Sequence, residues 1–164
     1  MAMRQKITPF LWFESQAEEA AAFYTSIFQN SRILATTRYD EAAARAAGRP
    51  VGSVLTVAFE LEGQNFTALN GGPVFKFTEA ISFVVNCEAQ TEVDHYWDRL
   101  SAGGQEVQCG WLKDRFGVSW QIVPSILPEM LQDRDPEKAK RVMAAMLMMK
   151  KLSIEGLKKA YEGR

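Results

Sequence analysis

The chain has 164 residues, 47% of them hydrophobic and 24% charged, with a net charge of −1. That balance describes one soluble globular domain with room for a core. It excludes a strongly basic nucleic-acid binder, since the Lys and Arg residues form no run that would track phosphates, and no stretch approaches the roughly 18 to 20 apolar residues that span a bilayer. Residues 1–6 lack an apolar signal core, so a cytoplasmic protein is expected. Cys87 and Cys109 show no CxxC spacing and read as small apolar residues.

In chain order, residues 6–13 alternate as a strand, and residues 17–28 carry Ala20, Phe23, Tyr24 and Ile27 at helical spacing. Three strands follow at 33–39, 53–62 and 65–70, the last two joined by a hairpin through Gly63. The Ala- and Arg-rich segment 40–50 reads as an exposed excursion with room for a short helix. After Gly71-Gly72-Pro73 the order begins again: a strand at 80–86, a helix at 91–100 bearing Val93, Tyr96, Trp97 and Leu100, then strands at 105–109, 111–113 and 119–123. The chain therefore reads as α+β, a tandem βαβββ repeat with units at 5–72 and 78–125. Curved mixed sheets of this kind are expected to bring their concave faces together around a cleft. One domain over 1–128 is then followed by a helical extension over 129–164. Asp135-Pro136-Glu137 starts one helix of that extension, running to about Lys150, and Ser153 caps another.

The pieces Pro9-Phe-Leu-Trp-Phe13, Ala17-Glu-Glu-Ala-Ala-Ala-Phe-Tyr24, Asn70-Gly-Gly-Pro73, Phe75-Lys-Phe77 and Asp114-Arg-Phe-Gly-Val-Ser-Trp-Gln-Ile-Val-Pro124 resemble the PhnB-like branch of the vicinal oxygen chelate superfamily, the glyoxalase/bleomycin-resistance/dioxygenase group. Members of this branch often carry a demethylubiquinone methyltransferase-like label. The chain contains no GxGxxG or GxG loop to hold a nucleotide-like methyl donor, so methyl transfer is not expected. In metal-dependent relatives, four side chains converge on one divalent ion. The resemblance places the equivalents at Pro9, or Thr8 with a one-residue slip, and at Ala68, Ala80 and Gln121. None is His, Asp, Glu or Cys, and a carboxamide is a poor ligand for such a cation, so no metal and no cofactor are expected.

The ligand-binding cleft expected instead is aromatic with a few neutral polar groups: Leu11, Phe13, Phe66, Asn70, Ser82, Trp111 and Gln121, with Trp12, Phe75, Phe77 and Trp120 nearby. Alternation puts Phe10 and Trp12 on one face of the first strand, and the expectation is that Leu11 and Phe13 share the cleft side with Pro9. His95 reads as a surface residue, no catalytic residue is identified, and no Ser/His/Asp pattern is visible. The function expected is metal-free small-molecule binding, with an aromatic ligand suiting the cleft. One alternative is an atypical lyase, isomerase or dioxygenase, and another is a structural or interaction protein that works through its C-terminal helices. The resemblance also implies a homodimer.

Overall fold

The structure is a computed structural model that describes residues 5–164. Residues 1–4, part of the stretch read as lacking a signal core, lie outside the described residues. The chain divides into two compact units, the first ending at Phe77 and the second running Thr78–Arg164.

Unit 1 contains β1 (Phe10–Phe13), α1 (Ala17–Ile27), β2 (Ser31–Arg38), α2 (Glu41–Ala47), β3 (Val54–Leu61) and β4 (Gln64–Asn70). Its sheet has the order β1-β4-β3-β2, with β1 parallel to β4 and the other neighbours antiparallel. The excursion at 40–50 does hold a short helix. Asp40 caps α2 by accepting from the Ala43 N–H, and Gly48 ends it in the left-handed region.

A strand shows alternate side chains to opposite faces, so the helix that packs on one face selects one set for burial. In β3 and β4 the buried set is Val57, Phe59, Leu61, Phe66, Ala68 and Asn70. Tyr24 of α1 stacks on Phe59 with ring centroids 6.0 Å apart, and Phe59 stacks on Phe66 at 5.4 Å, which identifies this face as the one under α1. The parallel register pairs Leu11 with Ala68 and Phe13 with Asn70, so Leu11 and Phe13 join the same buried face. The opposite face carries Phe10, Trp12, Thr56, Ala58, Thr67 and Leu69.

Unit 2 repeats this order with β5 (Ser82–Cys87), α3 (Gln90–Ser101), β6 (Gln105–Glu106), β7 (Trp111–Lys113) and β8 (Ser119–Pro124). The sheet order β5-β8-β7-β6 and the parallel β5/β8 pair match unit 1 strand for strand. Leu112, Trp120 and Ile122 are buried with Val93, Trp97 and Leu100 of α3. Ser82, Val84, Trp111, Lys113, Ser119 and Gln121 fall on the opposite face. The strand expected over 80–86 begins at Ser82, and Ala80 lies in the preceding turn. The strand expected over 105–109 ends at Glu106, because the chain turns through Cys109 and Gly110, both at positive φ.

The C-terminal segment is integral to unit 2. It contains α4 (Ile126–Leu131), which periodicity did not single out, α5 (Pro136–Leu147) and α6 (Ile154–Glu162). Asp135 and Ser153 cap α5 and α6 through the Glu137 and Gly156 N–H groups. Leu127, Met130, Val142, Leu152 and Leu157 form a buried cluster, with Val123 of β8 and Met146, Met149 and Tyr161 packed against it. The Cys109 and Gly110 N–H groups donate to the Met149 and Lys150 carbonyls. Gln90 at the start of α3 donates to the Leu152 carbonyl and accepts from the Ile154 N–H. No described helix is long and apolar enough to cross a membrane.

Removing residues 133–164 would strip Val142, Leu152 and Leu157 from this cluster. At ~1.5 to 3 kcal/mol for each buried aliphatic side chain, the loss is on the order of 5 kcal/mol. The truncated chain is expected to show a markedly lower urea midpoint, or aggregation, and an unchanged midpoint would refute the integral role of these helices.

Candidate functional site

The faces described above redistribute the residues expected to line a binding cleft. Ser82, Trp111 and Gln121 stand together on the face of the second sheet away from α3. Leu11, Phe13, Phe66, Ala68 and Asn70 do not share the corresponding face of the first sheet: they lie under α1. Leu11 is 7% exposed and Phe13 2%, whereas Phe10 on the other face is 60% exposed. The alternation of the first strand is as read from the sequence, and the assignment of its two faces is reversed. The physical reason is the burial demand of α1, whose Ala17, Ala20, Ala21, Tyr24 and Ile27 need an apolar surface that Leu11, Phe13, Phe66 and Ala68 supply.

Asn70 shows the consequence most directly. Its Oδ1 accepts from the Ala17 N–H at 2.8 Å, satisfying a free donor at the start of α1, and its Nδ2 donates to Glu18 Oε1 at 2.8 Å and the Val54 carbonyl at 3.2 Å. The carboxamide is committed to joining β4, α1 and β3, so it is a structural residue. The Tyr39 hydroxyl donates to the Asn70 carbonyl at 2.6 Å and ties in the approach to α2.

The Gln121 face is organised by Asp114. Asp114 is buried: its Oδ1 accepts from the Phe116 and Val118 N–H groups at 2.9 and 3.0 Å, and its Oδ2 accepts from the Trp120 indole at 2.9 Å. These bonds close the β7–β8 turn around Gly117, whose φ of 90° is natural only to glycine. They also pin Trp120 inward, which aims its neighbours Ser119 and Gln121 to the opposite face. There Gln121 Nε2 donates to Ser82 Oγ at 2.8 Å. The Gln121 Oε1 has no partner among the described residues, and the buried Ser119 Oγ has none either. Trp111 pairs with Gln121 across the ladder, and Lys113 makes an ion pair with Glu79. The orphaned Ser119 hydroxyl was legible only as a serine in a strand; its burial is a tertiary fact.

In unit 1, Trp12 stands on the face away from α1 and donates its indole N–H to the Gly72 carbonyl at 2.9 Å. It meets Phe75 edge-to-face at 4.9 Å. A Cβ on Gly71 would overlap the Trp12 ring, so glycine is required there for close approach. Phe77 packs against Phe13 at 5.2 Å.

None of the four positions implied to be metal-ligand equivalents carries a His, Cys, Asp or Glu side chain. Ala68 is buried under α1, Ala80 sits in a turn, and Pro9 precedes β1. No group of three or more His, Cys, Asp or Glu side chains capable of holding a metal occurs among the described residues. These residues do not fit a catalytic divalent ion. His95 is exposed and packs beside Tyr96. A groove of about 630 Å³ in unit 2, between the start of α3 and α6, is lined by Gln90, Ser153, Lys158, Glu162 and Arg164 and contains none of the expected site residues. Burial, reinforced by Glu92 and Glu88, pushes the Cys87 thiol up to about 12.

The family model described as 3-demethylubiquinone-9 3-methyltransferase matches residues 5–123. The chain belongs to this family. Among solved structures, a Bacillus cereus PhnB protein described as a putative 3-demethylubiquinone-9 3-methyltransferase is 39% identical. That match covers 73% of this chain and 99% of the other, with a TM-score of 0.64. A Pseudomonas aeruginosa protein is similar at 18% identity, over 74% of this chain and 98% of its own, with a TM-score of 0.60. The Listeria monocytogenes fosfomycin resistance protein FosX, in a complex with Mn(II) and sulfate, is similar in fold at 16% identity. There 79% of this chain and 97% of the other are covered, with a TM-score of 0.52. No curated protein matches. The family is a PhnB-like branch of the vicinal oxygen chelate superfamily, and the paired βαβββ units are its fold. Residues 124–164, with α4 to α6, lie beyond the region that the family model matches.

Two outcomes follow from this geometry. Asp114→Ala orphans three donors, two of them buried, and is expected to cost about 3 kcal/mol of stability in denaturant unfolding, against less than 1 kcal/mol for exposed Asp98→Ala. Equal effects would remove Asp114 from its organising role. For Cys87, an acid with a raised pKa, the native chain stays protonated while the unfolded chain ionises above about pH 9. Its contribution to stability is therefore complete below that pH and falls as pH rises toward 12. Thiol titration of the native protein at pH 8 is expected to label Cys87 far more slowly than half-exposed Cys109, and fast labelling of both would contradict it.

Proposed function

We propose that this protein binds a small molecule without a catalytic metal, and that the ligand engages the face of the second sheet away from α3. The observation that carries this reading is the Gln121 cluster. The buried Ser119 Oγ is unpartnered on the face that also carries Trp111 and Gln121, and Gln121 donates to Ser82. A buried polar atom of this kind is normally completed by water or a ligand. A half-buried indole next to neutral hydrogen-bonding groups suits a planar or apolar molecule oriented by a few hydrogen bonds.

The name of the family speaks of methyl transfer, and the Mn(II) in the FosX structure belongs to that protein. Neither activity is part of this proposal, since the sequence has no GxG loop and no cluster of metal-ligating side chains occurs among the described residues. The reading further takes the protein to be a cytoplasmic homodimer.

Elemental analysis after incubation with zinc, manganese, iron and nickel is the deciding measurement. The expected result is less than one tightly held metal per ten chains, with no rise in melting temperature. One metal per chain, with a raised melting temperature, would overturn the proposal and make an enzyme of the superfamily the better reading. If an aromatic ligand is found by thermal shift, Gln121→Ala is expected to weaken it about tenfold, the worth of one well-made hydrogen bond. Unchanged affinity would place the ligand elsewhere.

A further inference from the structure

Arg49 follows the glycine cap of α2, and its backbone N–H donates to the Ala44 carbonyl at 3.0 Å. Its guanidinium makes no hydrogen bond or ion pair among the described residues, and its Nε is buried without a partner. Most arginines avoid that state, because a buried charged donor left unpaired loses its hydration and gains nothing. The surroundings indicate what would complete it. Arg49 Nη1 lies 4.0 Å from the position that a Cβ would take on Gly72, and apart from adjacent residues no other heavy atom comes within 4 Å of that point. Gly72 has φ 87°, so the chain needs glycine there, and the point is left empty. The carbonyl of the same glycine accepts from the Trp12 indole, and Trp12 carries Phe75, which is 62% exposed, edge-to-face. The Gly72 turn is thus bordered by a planar cationic fork and by an aromatic pair. Glu14, whose backbone carbonyl accepts from the Gly72 N–H, forms no ion pair with Arg49.

We propose that Arg49 anchors an oxyanion site in unit 1, binding the carboxylate or phosphonate group of a small molecule whose apolar part rests on Trp12 and Phe75. The guanidinium presents its donors in a fork that matches such groups two bonds at a time, which lysine cannot do. The site stands whether or not the Gln121 face takes a ligand, since it shares no residue with that face.

The test follows the Trp12 indole N–H resonance, assigned with Trp12→Phe, while phenylphosphonate, benzoate and inorganic phosphate are titrated at fixed ionic strength, with chloride as the control. Saturable movement is expected with phenylphosphonate or benzoate at a Kd at least tenfold below that for inorganic phosphate, and whichever aromatic acid binds tighter identifies the preferred oxyanion. Arg49→Met is expected to raise that Kd at least tenfold and Arg49→Lys to raise it by less, with thermal unfolding of the lysine variant unchanged. No saturable movement in the wild-type protein, an equal response to chloride, or the same Kd in both variants as in wild type would overturn the proposal. If Arg49→Met does not fold, the Arg49→Lys comparison alone decides: an unchanged Kd refutes the fork.

Discussion

Each four-stranded sheet in this chain is covered on one side by its own helix, and the period of two along every strand then decides the role of almost every side chain. Once α1 claims Phe59, Phe66, Leu11 and Phe13, their neighbours Phe10, Trp12, Thr67 and Leu69 must face the other way. Once α3 shares its core with Leu112, Trp120 and Ile122, Trp111, Ser119 and Gln121 are presented opposite. A one-residue slip in either sheet would exchange the core and the candidate binding surface. Register is therefore the property on which both stability and any binding chemistry rest.

Buried polar side chains fix that register at one critical point in each unit. Asn70 ends β4 and completes the first turn of α1, so strand and helix are locked at the position where the chain leaves the sheet. Asp114 opens the β7–β8 turn and reaches forward to Trp120, setting which β8 residues point inward. Both are fully engaged in hydrogen bonds within the fold, which explains how such polar groups are tolerated in an apolar setting. The buried polar atoms left without a partner, on Arg49, Asn65 and Ser119, stand out against that background of satisfaction. They are the places where chemistry from outside the chain has something to complete.

The strand and helix elements were largely legible because hydrophobic period, capping residues and turn glycines agree. Asp135 and Ser153 announced their helices, and the return of the same element order after Gly71-Gly72-Pro73 exposed the tandem unit. The short helix α4 was hidden because Pro128 interrupts a run too brief to show a period. Strand alternation groups Ser82, Trp111 and Gln121 on one face of the second sheet. On the first sheet it left the two faces indistinguishable. Leu11 and Phe13 are as apolar as Phe10 and Trp12, and nothing in their order says which pair a helix will cover. The role of Asn70 was missed for the same reason, since an asparagine before two glycines looks like a turn residue until its partner on α1 is seen.

The sequence by itself determined the α+β class, the two βαβββ units, the family, and the lack of acidic or imidazole groups at the positions that the resemblance makes equivalent to metal ligands. Those properties depend on local pattern and residue type, which chain order preserves. Only the tertiary structure decided which face of the first sheet is core, that the C-terminal helices belong to the core of unit 2, and that the Arg49 Nε is buried without a partner among the described residues. Each of those depends on contacts between residues distant in sequence, and no local period encodes which of two equally apolar faces such a contact will bury.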